Sequence, residues 1–146
     1  MPSTWSLRPA TEADLPFLVA LRLATMAPQF ARQGLVLSDE EHRLRAEFRL
    51  DAARIVEAEG RAIGLVKLLQ DGATWTLEQF QIAPEAQGRG IGAAVLGQII
   101  AASRESGALL RLSVLKCNPA ARLYARLGFR TLAESEHSYK MTFIDA

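Results

Sequence analysis

The stretch Gln87-Gly88-Arg89-Gly90-Ile91-Gly92 follows an extended apolar segment, residues 77–82, and opens a helical one, residues 93–106. Three glycines in five residues let the backbone curl tightly and bring its N–H groups up to a ligand with no Cβ in the way. A helix N-terminus adds unpaired donors and the positive end of a dipole. Strand, glycine loop and helix start together make a seat for a phosphate or pyrophosphate. Glycines alone would fit an ordinary turn with no ligand. The strand before them and the long apolar helix after them favour a phosphate-bearing cofactor.

Three cofactor classes compete for this loop. A nucleoside triphosphate loop ends in Gly-Lys-Ser/Thr, which is not supplied here. A dinucleotide fingerprint can be traced through Gly88, Gly90 and Ala93. It requires an acidic residue closing the next strand to hold a ribose, and residues 109–116, Leu-Leu-Arg-Leu-Ser-Val-Leu-Lys, contain none. The third class is coenzyme A. The run Ile82-Ala83-Pro84-Glu85-Ala86-Gln87-Gly88-Arg89-Gly90-Ile91-Gly92 resembles the acyl-CoA-binding signature of the GNAT superfamily of N-acetyltransferases, Q/R-x-x-G-x-G/A after a strand ending in V/I-x-P.

Composition bounds the rest. With 146 residues the chain is expected to form a single domain, residues 1–146, large enough to bury about two-thirds of its unfolded surface. Hydrophobic residues at 49% and charged residues at 23% are globular values. The formal net charge of +1 gives no reason to expect nucleic acid or a membrane surface as partner. One cysteine, Cys117, excludes an internal disulfide and a cysteine-based zinc site, so no metal is expected. The opening Met1-Pro2-Ser3-Thr4-Trp5 lacks the basic flank and apolar run of a secretion signal, and a cytoplasmic location is expected.

Along the chain, Ser6-Leu7-Arg8 reads as a short strand ended by Pro9. Thr11 to Asp14 forms a capping-box-like start for a helix running to about Met26, with Leu15, Leu18, Leu21, Arg22 and Thr25 at helical spacing. Residues 27–37 contain Pro28 and Gly34 and read as a loop. Ser38 caps a second helix with Leu44 and Phe48 on one face. Residues 54–58, 62–69 and 74–82 read as strands, the last two joined at Asp71-Gly72. After the glycine loop come a helix, the strand 109–116, and a short helix with Asn118 as cap, Pro119 at its first position and Gly128 as its stop. Residues 129–133 and 138–144 close the chain as strands. The order is βααββββαβαββ in essence, an α/β mixed sheet with helices on both faces.

A second motif supports the first. Asn118-Pro119-Ala120-Ala121-Arg122-Leu123-Tyr124-Ala125-Arg126-Leu127-Gly128-Phe129 is similar to the GNAT pattern N-x-x-A-x-x-L-Y-x-x-x-G-F. Its Asn precedes Tyr by six positions instead of seven, while Leu-Tyr-x-x-x-Gly-Phe matches in full. The resemblance implies a central, mostly antiparallel mixed sheet in which the strand ending at Ile82 and the strand 109–116 run parallel and splay apart around the pantetheine of acetyl-CoA. It implies cofactor contacts from Phe80, Ile82 and Ala83, from Gln87, Gly88, Arg89, Gly90, Ile91 and Gly92, and from Asn118 and Tyr124. The implied reaction is direct attack of a primary amine, small-molecule or peptide, on the thioester. Family members often dimerise, so a homodimer is an expected assembly.

Such a reaction uses a base for the ammonium proton, a backbone N–H near Ile82 for the developing oxyanion, and an acid for the thiolate. Tyr124 is the candidate acid, since a phenol is neutral at pH 7 and donates. The resemblance points it at the sulfur; its bland alternative is packing beside Leu123 and Leu127. Glu78 is the candidate base. Alternation puts it on one face with Phe80 and Ile82, where burial would raise its pKa. An ion pair with Arg111 or a solvated strand edge is the competing reading. His42, among Asp39, Glu40, Glu41 and Arg43, reads as a solvated face. His137 lies near the closing hairpin that borders the acceptor site in the family. Glu40, Glu41, Glu134 and Glu136 are either scattered surface charge or a lure for a cationic amine. Trp5 and Trp75 read as core or interface, and Cys117 as non-catalytic. An acyl-CoA-binding or sensing module without turnover is the alternative function.

Overall fold

A computed structural model describes residues 4–144; Met1, Pro2 and Ser3 of the stretch inspected for a leader lie outside the described residues. The elements, in chain order, are β1 (Ser6–Pro9), α1 (Leu15–Thr25), α2 (Ala27–Arg32), α3 (Asp39–Glu47), β2 (Ala53–Ala58), β3 (Arg61–Asp71), β4 (Thr74–Ile82), α4 (Ile91–Ser106), β5 (Leu109–Leu115), α5 (Ala120–Leu127), β6 (Phe129–Glu134) and β7 (Ser138–Phe143). The strands follow the order β1-β2-β3-β4-β5-β7-β6 in one sheet. It is a mixed α/β fold whose sheet is mostly antiparallel, with β4 and β5 as its parallel pair. Two compact units divide the chain. One holds the residues up to Lys67 with Gln79–Ile91, the other Leu68–Glu78 with the chain from Gly92 onward. β3 and β4 each begin in one unit and end in the other.

In the first unit, Leu18 and Leu21 of α1, Ala46 of α3, Ala53 and Ile55 of β2, Leu65 of β3 and Ala83 form a continuous core. Arg8 on β1 clamps the turn before α1: its two terminal nitrogens donate to the oxygens of Asp14 at 2.9 and 2.8 Å. Asp14 also accepts from the Thr11 N–H at 2.8 Å, and Arg8 holds its carboxyl down at about 2. Ser38 accepts from the Glu41 N–H at 3.1 Å while Glu41 accepts from the Ser38 N–H at 3.2 Å, so the Ser38 cap expected for α3 is a full capping box.

The second unit contains the β4–β5 ladder, which pairs Thr74 with Leu109 through to Leu77 with Leu112 and ends there. On its other side β5 pairs with β7 from Arg111 to Leu115, and β7 pairs with β6. Tyr124, Phe129 and Phe143 form an edge-to-face series with centroids 5.7 and 5.8 Å apart.

Four expectations are corrected. Residues 27–32 are a helix, because Pro28 sits in its first turn, where a missing N–H removes no helical bond. Between β1 and the glycine loop, three helices therefore stand where two were expected. The packed face of α3 is His42 and Ala46; Leu44 and Phe48 are exposed. His42 is thus buried, not solvated.

One close approach sets the β3–β4 spacing. A Cβ on Gly64 would lie 2.6 Å from the Gln81 carbonyl oxygen and 2.8 Å from Ile82 Cδ1. Gly64→Ala therefore has to push two strand backbones apart. It is expected to destabilise the protein by about 1–3 kcal/mol, the usual range for overpacking, measured by urea denaturation. Unchanged stability would show that the strands separate freely there.

Candidate active site

β4 sets the geometry. The Ala83 N–H donates to the Ile63 carbonyl at 2.7 Å, so at this end β4 presents Ala83 to β3. In an antiparallel pair, residues whose N–H and C=O face the partner alternate with residues whose groups face away. Gln81 shares the orientation of Ala83, whereas Phe80 and Ile82 turn their backbone groups away from β3. That is the orientation required of backbone that receives an extended ligand. The Ile82 carbonyl accepts from the Gln87 side-chain amide at 2.9 Å, tying the strand end to the loop.

The loop is built for close approach. A short turn, Pro84–Ala86, follows Ala83, and the Ala86 N–H closes it on the Ala83 carbonyl at 2.9 Å. Gly88 and Gly90 have φ of 79° and 78°, a region that L side chains rarely adopt. A Cβ on either would meet nothing within 4 Å among the described residues, and Gln87 to Gly90 are exposed. Ile91 anchors the far end, 2% exposed, as the first residue of α4. Arg89 pairs with Glu59 at 2.5 Å, which holds its side chain against the β2–β3 turn. The loop thus offers backbone amides and open space at the start of α4, a helix of 16 residues, and it fits the pyrophosphate expected there.

In the second unit, Tyr124 is 5% exposed and packs edge-to-face on Phe129. Burial pushes its phenol well above the ordinary value of about 10. It therefore stays protonated at neutral pH and keeps a proton to donate. Asn118 does cap α5, with its Oδ1 accepting from the Ala120 N–H at 3.0 Å. The backbone of the helix begins one residue later than expected, at Ala120.

Glu78 departs from expectation. The buried side of β4 carries Trp75, Leu77, Gln79 and Gln81, so Glu78 projects from the opposite side and is exposed. The burial that was to activate it is absent. Its expected structural partner is also otherwise engaged, since Arg111 donates to Thr76 Oγ1 at 3.1 Å. His137 lies beside Glu136, 3.7 Å between Nε2 and the carboxylate. Two buried polar residues escaped the sequence reading as functional candidates: Arg22 on α1 and His42 on α3, 2% and 1% exposed. The signal for Arg22 was its place on the apolar stripe of α1.

Comparison with known proteins gives the family and the fold. Residues 51–131 match the family model for an acetyltransferase (GNAT) domain. That match covers more than half of the chain, which belongs to the GNAT acetyltransferase family. No curated protein sequence matches it. Among solved structures it is similar to the PaiA N-acetyltransferase of Thermoplasma acidophilum in complex with coenzyme A, at 16% identity and a TM-score of 0.75 over 95% of this chain and 98% of that one. An acetyltransferase of Thermus thermophilus aligns at 22% identity and a TM-score of 0.74, covering 95% and 96%. The ribosomal-protein-S18-alanine N-acetyltransferase of Escherichia coli aligns at 19% identity and a TM-score of 0.72, covering 98% and 96%. The fold is shared with all three.

The loop carries a direct test. Gly90→Asp adds a Cβ at φ 78° and a carboxylate among the exposed amides. Acetyl-CoA affinity, measured by calorimetry, is expected to fall at least tenfold in a folded protein. Unchanged affinity would remove the loop from cofactor binding.

Proposed function

We propose that the protein is an N-acetyltransferase that moves an acetyl group from acetyl-CoA to a primary amine by direct attack. The observation that carries this reading is the exposed Gln87–Gly90 turn, with two glycines at positive φ and open space beside them, leading from outward-facing β4 backbone into α4. The cofactor contacts in this reading are the backbone of Phe80, Ile82 and Ala83, the amides of residues 87–92, and Tyr124. Asn118 contributes through the turn that starts α5. The reading takes the chain as one acyltransferase domain, because β3 and β4 pass through both compact units. A cytoplasmic setting, a small-molecule or peptide amine as partner and a homodimer belong to the same reading and rest on the family resemblance.

When bound, acetyl-CoA supplies a thioester whose carbonyl carbon accepts the amine nitrogen as the carbon–sulfur bond breaks. The chain's share is orientation and proton management. An amine is mostly ammonium at pH 7 and has to lose a proton first. Exposed Glu78 reaches solvent directly, so in this role it relays that proton through water. Tyr124 directs its phenol hydrogen toward the leaving sulfur. A phenol pushed above 10 is a weaker acid than a thiol near 8.5. Tyr124 therefore stabilises the thiolate mainly by hydrogen bonding, and the thiol proton is completed from solvent.

That inequality sets the size of the expected effects. Tyr124→Phe keeps the ring against Phe129 and removes one donor, so turnover should fall roughly 10²-fold, the lower end for a general catalyst, with acetyl-CoA affinity little changed. Glu78→Gln should lower the rate most at neutral pH and recover as more of the amine becomes neutral by itself. Both are read in an acetyl-CoA consumption assay across amine classes. Wild-type turnover in Tyr124→Phe assigns the residue to packing. A wild-type pH–rate curve in Glu78→Gln assigns the proton to another carboxylate or to water alone. Acetyl-CoA binding with no amine consumed would favour a sensing module.

A further inference from the structure

Arg22 is 2% exposed, yet its Nε and Nη2 are buried without a hydrogen-bond partner among the described residues. These two nitrogens form one edge of the guanidinium, with N–H bonds aimed side by side at a carboxylate-sized target. Arg49 shows the same edge in use: its Nε and Nη2 donate to the two oxygens of Asp51 at 3.0 and 3.1 Å. On Arg22 that edge meets no hydrogen-bond acceptor among the described residues. Burial and the Arg45 guanidinium pull its pKa down to about 10, so it is still a cation at neutral pH.

Its surroundings deepen the imbalance. His42, on α3, is 1% exposed and its buried Nδ1 also lacks a partner among the described residues. Burial, Arg22 and Arg45 hold that ring below its usual pKa, against the opposing pull of Asp39 and Glu41, which are exposed on the first turn of α3. Arg45 is exposed, with its guanidinium 5.2 Å over the Phe30 ring. Phe30 in turn meets His42 edge-on at 6.1 Å. The opposite shortage exists on β4. Gln79 donates to the Arg45 carbonyl at 2.9 Å but its buried Oε1 receives no donor among the described residues.

Lys67 shows that burial of a cation need not signal a ligand. It is 0% exposed, and its Nζ donates to the Arg45, Ala46 and Phe48 carbonyls. It closes the C-terminal end of α3, where a cation is favoured. Arg22 has no such structural account. An uncompensated buried charge is costly, and each one in a folded protein calls for a compensating partner.

We infer that the unpartnered edge of Arg22, with His42 beside it, receives a carboxylate of the acceptor, so the amine acetylated here is one that also carries a carboxylate, as an amino acid does. The inference rests on the acetyl-transfer reading for the word acceptor; the carboxylate site itself does not. A bidentate carboxylate fills both idle donors of Arg22.

The test separates the two. Calorimetry on the full chain uses α-amino acids and their α-amides as probes, with acetate and inorganic phosphate alongside, on wild type, Arg22→Met and Arg22→Lys. At least one amino acid is expected to bind tenfold or more tightly than its amide. Arg22→Met should erase that preference, Arg22→Lys should recover only part of it, and acetyl-CoA affinity should stay within twofold. Arg22→Met without ligand should melt no lower than wild type, since it removes an unpaired charge and keeps the stem. The inference is overturned if no carboxylate binds, if amides bind equally well, if phosphate alone binds, or if Arg22→Met unfolds more easily while the preference survives. A parallel acetyl-CoA consumption assay decides the acceptor role. Acetylation of the bound amino acid supports it. Equal turnover of amines without a carboxylate overturns it while leaving the enzyme reading intact.

Discussion

The hydrogen bond from the Ala83 N–H to the Ile63 carbonyl fixes the end of β4, and the site follows from it. Strand alternation then dictates that Phe80 and Ile82 face their backbone away from β3. It also sends Gln79 and Gln81 to the buried side and Glu78 to the exposed one. Gly64 permits the bond, because any larger residue would strike the Gln81 carbonyl. One residue past this anchor the chain turns at Pro84, and the glycine loop begins. A small set of backbone constraints thereby delivers a row of exposed backbone to the start of α4.

The polar and charged groups of the first unit divide by how they are compensated. Lys67 is completed by three carbonyls at the end of α3, and Asp14 by the Arg8 guanidinium and the Thr11 amide. Both knit elements together. Arg22 and His42 are left incomplete on the buried faces of α1 and α3. The division matters because stability alone would favour replacing Arg22 with an apolar side chain of like size. Its retention in a packed interface is the sort of local conflict that proteins tolerate where a ligand is bound.

The parts legible in the sequence are those decided by local chemistry. Glycines at positive φ, the Ser38 and Thr11 caps, the Asp71-Gly72 turn and the Gly128 stop all act within a few residues, and each appears in the fold. Pro28 misled because its meaning depends on position: inside a helix it breaks, in the first turn it fits. The face of α3 was illegible for another reason. Leu44 and Phe48 have the apolar spacing, but α3 packs Ala46 against the α1 leucines and His42 against Phe30 of α2, and only the tertiary partners decide that. Glu78 was placed correctly on the strand and wrongly in depth, because alternation gives two faces without saying which is covered.

The central claim is that coenzyme A is held by backbone amides of the glycine loop. Amide nitrogen and proton shifts of the isotope-labelled protein, recorded while coenzyme A is titrated in, test it most directly. The account predicts saturable shifts that are largest for the amides of residues 87–92, since those N–H groups acquire phosphate oxygens as acceptors. Saturable binding that leaves those amides unmoved and shifts others instead would contradict it.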